Sequence, residues 1–308
     1  MTIERSKDVS DVAQVAPSCM GFEANLKKRY RVDNLFKMAA WVAIVILVSV
    51  LTWLMLDILI SGIPTLNWSF LTSLPASEPD EAGILAALVG TAWVMLLVAL
   101  FAFPVGVGSG IFLEEFSTDN WFTQFVEVNI SNLAGVPSII YGLLGLGAFV
   151  QLLGSITGGR SILSGAWTLA LLILPIIIVA TREALRSVPD SIRNAGFALG
   201  ANRWQVVWSH TLPAAFPGVM TGMILALSRA IGETAPLIVV GAVTFISFLP
   251  AGPQAPFTVL PIQIYSWVTF PQEEFHNIAA SGIIVLLAVL LLMNSLAIFL
   301  RNRFQKAR

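Results

Sequence analysis

The amino-acid sequence predicts an all-α, polytopic membrane protein, and three observations carry that prediction. Hydrophobic residues fill 56% of the 308 positions, whereas Asp, Glu, Lys and Arg fill 11%. Mean hydropathy is +0.83. A soluble domain carries about a quarter charged residues, so this chain cannot clothe a water-facing surface. The apolar residues are also gathered into stretches that reach the roughly 20 residues a helix needs to cross hydrocarbon. A water-soluble enzyme and an intrinsically disordered chain are excluded. So is a disulfide-stapled scaffold, because Cys19 is the only cysteine.

Six stretches meet the length test: residues 38–60, 84–112, 133–153, 162–180, 217–241 and 278–300. The first follows a basic arm, residues 1–37, and no small-residue cleavage site lies behind it, so it reads as an anchor within a unit of residues 38–83. Residues 84–300 form the core and residues 301–308 a tail. The second stretch is long for a straight crossing, and Pro104 with Gly106, Gly108 and Gly110 is expected to bend or end it. The third carries Ser138 and Tyr141, hydroxyls that either line a polar path or bond locally. Its Gly142, Gly145 and Gly147 suit close helix packing.

Basic residues give the orientation. Seven of the Lys and Arg lie in residues 1–37, four in 182–213 and four after 300. The alternate connections, 61–83, 154–161 and 242–277, hold only Arg160, and Arg229 lies inside a stretch. This asymmetry places both termini in the cytoplasm. Residues 114–127 run against it, with four acids and no Lys or Arg. His210 and His276 sit at membrane edges without neighbouring ligand residues, so no metal site is expected.

The connection 182–213 is unlike the others. Arg182 to Arg186 prolongs the fourth stretch, Pro189 stops it, and Asp190 can cap a short new helix. Ile192, Ala195 and Leu199 form one apolar stripe on that helix, Gly200 ends it, and Trp204, Val207 and Trp208 mark a second amphipathic piece. Small residues Ala195, Gly196 and Ala198 would allow another body to approach closely; an interfacial helix resting on lipid is the other reading.

Asn194-Ala195-Gly196, Gly200 and His210-Thr211-Leu212-Pro213 have the spacing of the EAA loop of ATP-driven (ABC) importer permeases, and the chain resembles that family. The match holds at Ala195, Gly200, Leu212 and Pro213 and departs at Asn194, Gly196 and His210. Arg229-Ala-Ile-Gly-Glu-Thr-Ala-Pro-Leu237 and Ala134-Gly-Val-Pro-Ser-Ile-Ile-Tyr-Gly142 are similar to stretches of the phosphate permeases, the former in its PstA-type form. The resemblance covers about residues 84–300. It implies a type I importer permease fold and a phosphate-importing complex in the bacterial inner membrane. The implied partners are a PstC-type permease, a PstB-type ATPase dimer and a PstS-type periplasmic phosphate-binding protein. The segment Ile192, Asn194, Ala195, Gly196, Leu199 and Gly200 would then couple to the ATPase.

No Lys occurs between Lys37 and Lys306, so the chain has no Gly-Lys-Ser/Thr phosphate loop in its core, and ATP and Mg are expected on the partner ATPase. The chain itself is expected to be non-catalytic.

Arg229 and Glu233 stand four apart and can pair. A charge near mid-membrane costs about 2.5–3.5 kcal/mol and usually marks a pathway; an internal ion pair that orients two helices is the alternative. Ser228, Thr234 and Ser138 are candidate donors beside them. Pro236 would leave the Gly232 carbonyl unbonded within the helix or merely kink it. A Ser/His hydrolase lacks a membrane-embedded His, and a gradient-driven transporter would be expected to show more membrane carboxylates and an internal repeat. A permease for another oxyanion stays open on this reading.

Overall fold

The computed structural model describes residues 26–118, 120–243 and 245–306, and Cys19 lies outside them. Among the described residues every regular element is a helix or helical turn. The chain divides into two units, Met1–Leu56 and Asp57–Arg308. The first contributes most of α1 (Leu26–Gly62), so residues 26–37 are helical and continuous with the first apolar stretch.

The second unit continues with α2 (Trp68–Thr72), α3 (Leu85–Ile111), α4 (Trp121–Leu133), α5 (Ser138–Gly145) and α6 (Gly154–Thr157). Then follow α7 (Ile162–Arg186), α8 (Asp190–Ala198), α9 (Arg203–Val206), α10 (Leu212–Ile231), α11 (Ala235–Val240), α12 (Leu260–Thr269) and α13 (Glu273–Lys306). Five helical runs among the described residues are long and apolar enough to cross a membrane: Arg29–Thr65, Leu85–Phe116, Ile162–Arg186, Arg203–Ile231 and Glu273–Arg303. A sixth crossing exists if the bent pair Trp121–Leu133 and Ser138–Leu152, which turns through 104°, is one span.

Helix α7 is the centre of packing. Leu169, Ile173, Ile177 and Leu185 are buried along it. Lipid offers no hydrophobic drive for helix association, so close approach through small residues has to supply the contact. Helix α3 sets Gly106 against Ile177 and Gly110 against Thr181, where an added Cβ would lie 2.6 and 2.7 Å from the nearest side-chain atom. On another side of α7, Gly218 and Gly222 of α10 meet Ala184 and Ala180. Thr168 returns its hydroxyl to the Ser164 carbonyl at 2.7 Å, which satisfies the polar atom where the side chain packs against Gly145. A second cluster joins Phe70, Ile84, Leu260, Trp267 and Phe275.

The structure corrects four sequence expectations. Pro104 does not end the second stretch: α3 runs through it to Ile111 and on into a π-helical turn, Phe112–Phe116, because Gly106 and Gly110 seat against α7 rather than loosening the helix. Residues 114–127 are not a loop; they hold that turn and the start of α4, capped by Asn120, whose side chain accepts from the Thr123 amide. The stretch 133–153 is α5 and a π-helical run, Leu146–Leu152, entered through a break at residues 134–137. The stretch 217–241 is not continuous: α10 stops at Ile231 and α11 starts at Ala235. Connection 242–277 also contains α12, too short to cross a membrane and therefore invisible to the length test.

Helices α5 and α11 meet where Gly142 faces Pro236 and Val239, and an added Cβ would lie 2.8 Å from the Pro236 Cα. Gly147 on the same run has nothing within 4 Å. Gly142→Val should therefore cost about 1–3 kcal/mol through overpacking against backbone, whereas Gly147→Ala should be near neutral. Thermal unfolding of the two purified variants in one detergent checks this ordering.

Candidate functional site

The break between α10 and α11 carries the pair singled out in the sequence. Arg229 lies in the last turn of α10, and the Gly232 and Glu233 amides bond back to the carbonyls of Arg229 and Ala230 at 3.2 Å, closing the helix end. Glu233 falls just past that end, where the chain turns toward α11, and Arg229 Nε donates to Glu233 Oε1 at 3.3 Å. Pro236 stands in the first turn of α11, where a missing amide costs nothing; it begins a helix instead of kinking one.

The two partners are unequal. The Arg229 side chain is 48% exposed and that of Glu233 17%. Only Nε of the guanidinium bonds to a protein acceptor among the described residues, which leaves the two Nη groups open to a ligand. Arg229 also lies within electrostatic range of the Tyr141 hydroxyl, which donates to the Leu133 carbonyl at 2.8 Å and so braces the break before α5. The two helix breaks thus flank one region, joined by the α5 and α11 contact.

The other predicted donors divide. Thr234 is half-buried at the break and makes only a long 3.5 Å bond to the Gly232 carbonyl. Ser138 is the first residue of α5, at the neighbouring break, with no bond to the Arg229 pair. Ser228 faces elsewhere: its hydroxyl lies 2.7 Å from the Ile224 carbonyl and 2.6 Å from Asn294 Oδ1 on α13. Its polar atom is used between helices, a role that needed the position of Asn294 and could not be read from the local motif.

The connection after α7 forms a second site. Pro189, not Asp190, occupies the cap of α8; Asp190 is the first helical residue and pairs with Arg193 at 3.1 Å. Gly200 takes a left-handed φ of +79°, as the turn into α9 requires. Ile192, Asn194, Ala195, Phe197 and Leu199 are exposed, Leu199 at 86%. Gly196 is buried, and a Cβ there would meet Val206 at 2.8 Å. Its small size serves the fold of the α8 and α9 hairpin itself, not the approach of another body. Trp204 and Trp208 are exposed and their rings meet tilted by 60° at 5.5 Å, with Phe116 5.8 Å from Trp204.

Three acids of residues 114–127 answer the basic residues of this connection. Arg182 bridges Glu114 at 3.2 Å and Glu127 at 2.6 Å, and Arg186 reaches Glu114 at 2.8 Å. Arg193 holds Glu115 at 2.8 Å, with side chains 16% and 7% exposed. The hydrogen bond to Glu115 raises the Arg193 guanidinium above its ordinary value, against the opposing effect of burial. The acids that contradicted the charge asymmetry are counterions. Sequence reasoning did not pair these residues, although the excess of acids facing an Arg-rich connection was the signal that could have done so. Among the described residues no group of His, Cys, Asp or Glu is arranged to hold a metal ion.

The family model for the binding-protein-dependent transport system inner membrane component matches residues 102–307. The chain belongs to this family. It is 31% identical over 273 residues to the probable ABC transporter permease YqgI of Bacillus subtilis, covering 85% of this chain and 92% of that one. It is 31% identical over 266 residues to the phosphate transport system permease PstA of Haemophilus influenzae, covering 86% and 91%. A bacterial ABC transporter that imports the polysaccharide alginate superposes with a TM-score of 0.62 over 90% of this chain and 98% of that one, at 18% identity. The MetNI methionine transporter in an inward-facing form gives 0.57 over 74% and 99%, also at 18%. The fold is that of the type I ABC importer permeases, as the EAA-loop spacing implied.

Within this permease, Arg182→Ala would leave the partly buried Glu127 without a cation and Glu114 with Arg186 alone. A loss of about 2–3 kcal/mol is expected. Arg186 is half exposed and Glu114 keeps Arg182, so Arg186→Ala should cost under about 1 kcal/mol. Denaturation midpoints of the two variants, compared with wild type, measure the difference.

Proposed function

We propose that this permease forms half of a phosphate pathway in an ATP-driven importer, with both termini in the cytoplasm. The second half would be a PstC-type permease, the motor a PstB-type ATPase dimer carrying ATP and Mg, and the delivering protein a PstS-type phosphate-binding protein. The observation that carries the reading is the half-exposed Arg229 whose Nη groups have no hydrogen-bond partner among the described residues, set at a helix break beside Glu233. A guanidinium edge matches a phosphate with two parallel charge-assisted bonds. The relatives named as phosphate permeases support the choice of anion.

Glu233 prevents a bare Arg from being stranded in hydrocarbon. On arrival of the anion, the guanidinium exchanges or shares the carboxylate for phosphate oxygens, and Thr234 and Ser138 add hydroxyl donors nearby. The exchange has to be close to balanced, because a site that held phosphate tightly would not release it. Connections 61–83 and 242–277 carry five acids and no Lys or Arg, so free phosphate is repelled there and delivery by a bound protein is favoured.

Phosphate uptake and complex assembly, measured together, test this. Arg229→Gln should abolish uptake with the complex intact. Arg229→Lys keeps the charge without the fork and should be intermediate, at about a tenfold loss. Wild-type uptake by Arg229→Gln would overturn the pathway reading, and failure of assembly would favour a structural ion pair. The reconstituted complex should also transport only when the binding protein is present; full-rate uptake without it would refute the delivery step.

A further inference from the structure

The connection after α7 is held by more than its peptide link. Arg193, on α8, uses almost its whole guanidinium: Nη2 donates to Glu115 Oε1 at 2.8 Å and to the Leu185 carbonyl at 2.9 Å. Nε reaches the same Glu115 oxygen at 3.2 Å, and Nη1 donates to the Val188 carbonyl at 2.8 Å and to Asp190 Oδ1 at 3.1 Å. Leu185 lies in the last turn of α7, where its carbonyl also accepts from the Val188 amide at 3.1 Å, and Val188 lies just past the end of that helix. Glu115 belongs to the π-helical turn that ends α3. One side chain, 16% exposed, therefore bonds α8 to the chain just before it, at and past the end of α7, and to the end of α3, 78 residues away in sequence.

We propose that Arg193 is a positioning residue that makes α8 move as one body with the ends of α3 and α7, so that displacement of α8 is transmitted to the membrane helices. The inference rests on the reading that the exposed face of α8 meets the ATPase. The structural reason is leverage. Helix α8 packs chiefly on its own hairpin, α9 and the π-helical turn after it, through Gly196 and Val206. Pro189 interrupts the helix between α7 and α8. A hairpin hung on that link alone would swivel when pushed, and its motion would be lost as local rearrangement. Four hydrogen bonds at 2.8–3.2 Å, to Glu115, Leu185 and Val188, remove that freedom. Their planar, forked geometry cannot be copied by an ammonium, which offers a compact point charge.

The experiment uses the whole complex reconstituted with its ATPase and binding protein. Phosphate uptake per ATP hydrolysed is measured for Arg193→Met, Arg193→Lys and Glu115→Gln, alongside ATPase co-purification. A spin-label pair at Leu199 and Glu183, both exposed, reports the distance between α8 and α7. Uptake per ATP should fall about tenfold in Arg193→Met and less in Arg193→Lys, with the ATPase still bound and the distance distribution broadened. Glu115→Gln and Arg193→Lys preserve side-chain size and keep the test decisive if the Met variant does not assemble. A wild-type coupling ratio with an unbroadened distance distribution would overturn the proposal. So would loss of ATPase binding in place of loss of coupling, since Arg193 would then build the dock and not transmit through it. The underlying docking reading fails separately, if Leu199→Glu assembles and transports like wild type.

Discussion

In hydrocarbon a backbone amide or carbonyl has no water to bond, so any interruption of a helix has to be repaired by the protein itself. The architecture of this permease follows from where it accepts interruptions and how it repairs them. The break before α5 is braced by the Tyr141 hydroxyl on the Leu133 carbonyl. The break after α10 is closed by short backbone bonds at Gly232 and Glu233, and α11 restarts at a proline that needs no partner. Because both repairs are local, the chain can place irregular backbone and a charge pair inside an otherwise apolar bundle.

The same constraint explains the distribution of charge. Within the apolar core an ion pair is tolerated only at a break, where Glu233 compensates Arg229. At the helix ends charges are numerous, and they organise structure: Arg182, Arg186 and Arg193 each find an acid from the segment between α3 and α4. At one extreme Arg193 is bonded at all three guanidinium nitrogens; at the other, among the described residues, Arg186 and Arg229 each hydrogen-bond through Nε alone.

Legibility in the sequence followed the range of the interactions involved. Apolar runs of more than twenty residues are a local property, and the spans at α1, α3, α7 and α13 were readable to within a few residues of one boundary or the other. The EAA-type spacing is local too, and it led to the fold. The breaks were harder to read, because apolar composition continues across residues 134–137 and 232–234 and hides the change of direction. The prolines gave a hint, but Pro104 inside α3 and Pro236 at the start of α11 look alike in one dimension; only packing against α7 or α5 separates them. The pair Arg229 and Glu233 was found because four-residue spacing is a helix neighbourhood. Ser228 with Asn294, and Arg193 with Glu115, were not found, because their partners lie tens of residues away. Gly196 was read as an outward surface when its neighbour is Val206, a contact created by the turn at Gly200.

The glycine contacts along α7 have a mechanical consequence. Where Gly106, Gly110, Gly218 and Gly222 seat directly on α7, no long side chain stands between the backbones to swing and absorb a shift. Close-packed interfaces of this kind transmit a displacement instead of absorbing it, so α3, α7 and α10 are expected to shift together. The irregular backbone at 134–137 and 232–234 is where such a displacement is expected to be taken up. Irregular backbone and charge coincide in this molecule: the Arg229 and Glu233 pair stands at the break between α10 and α11.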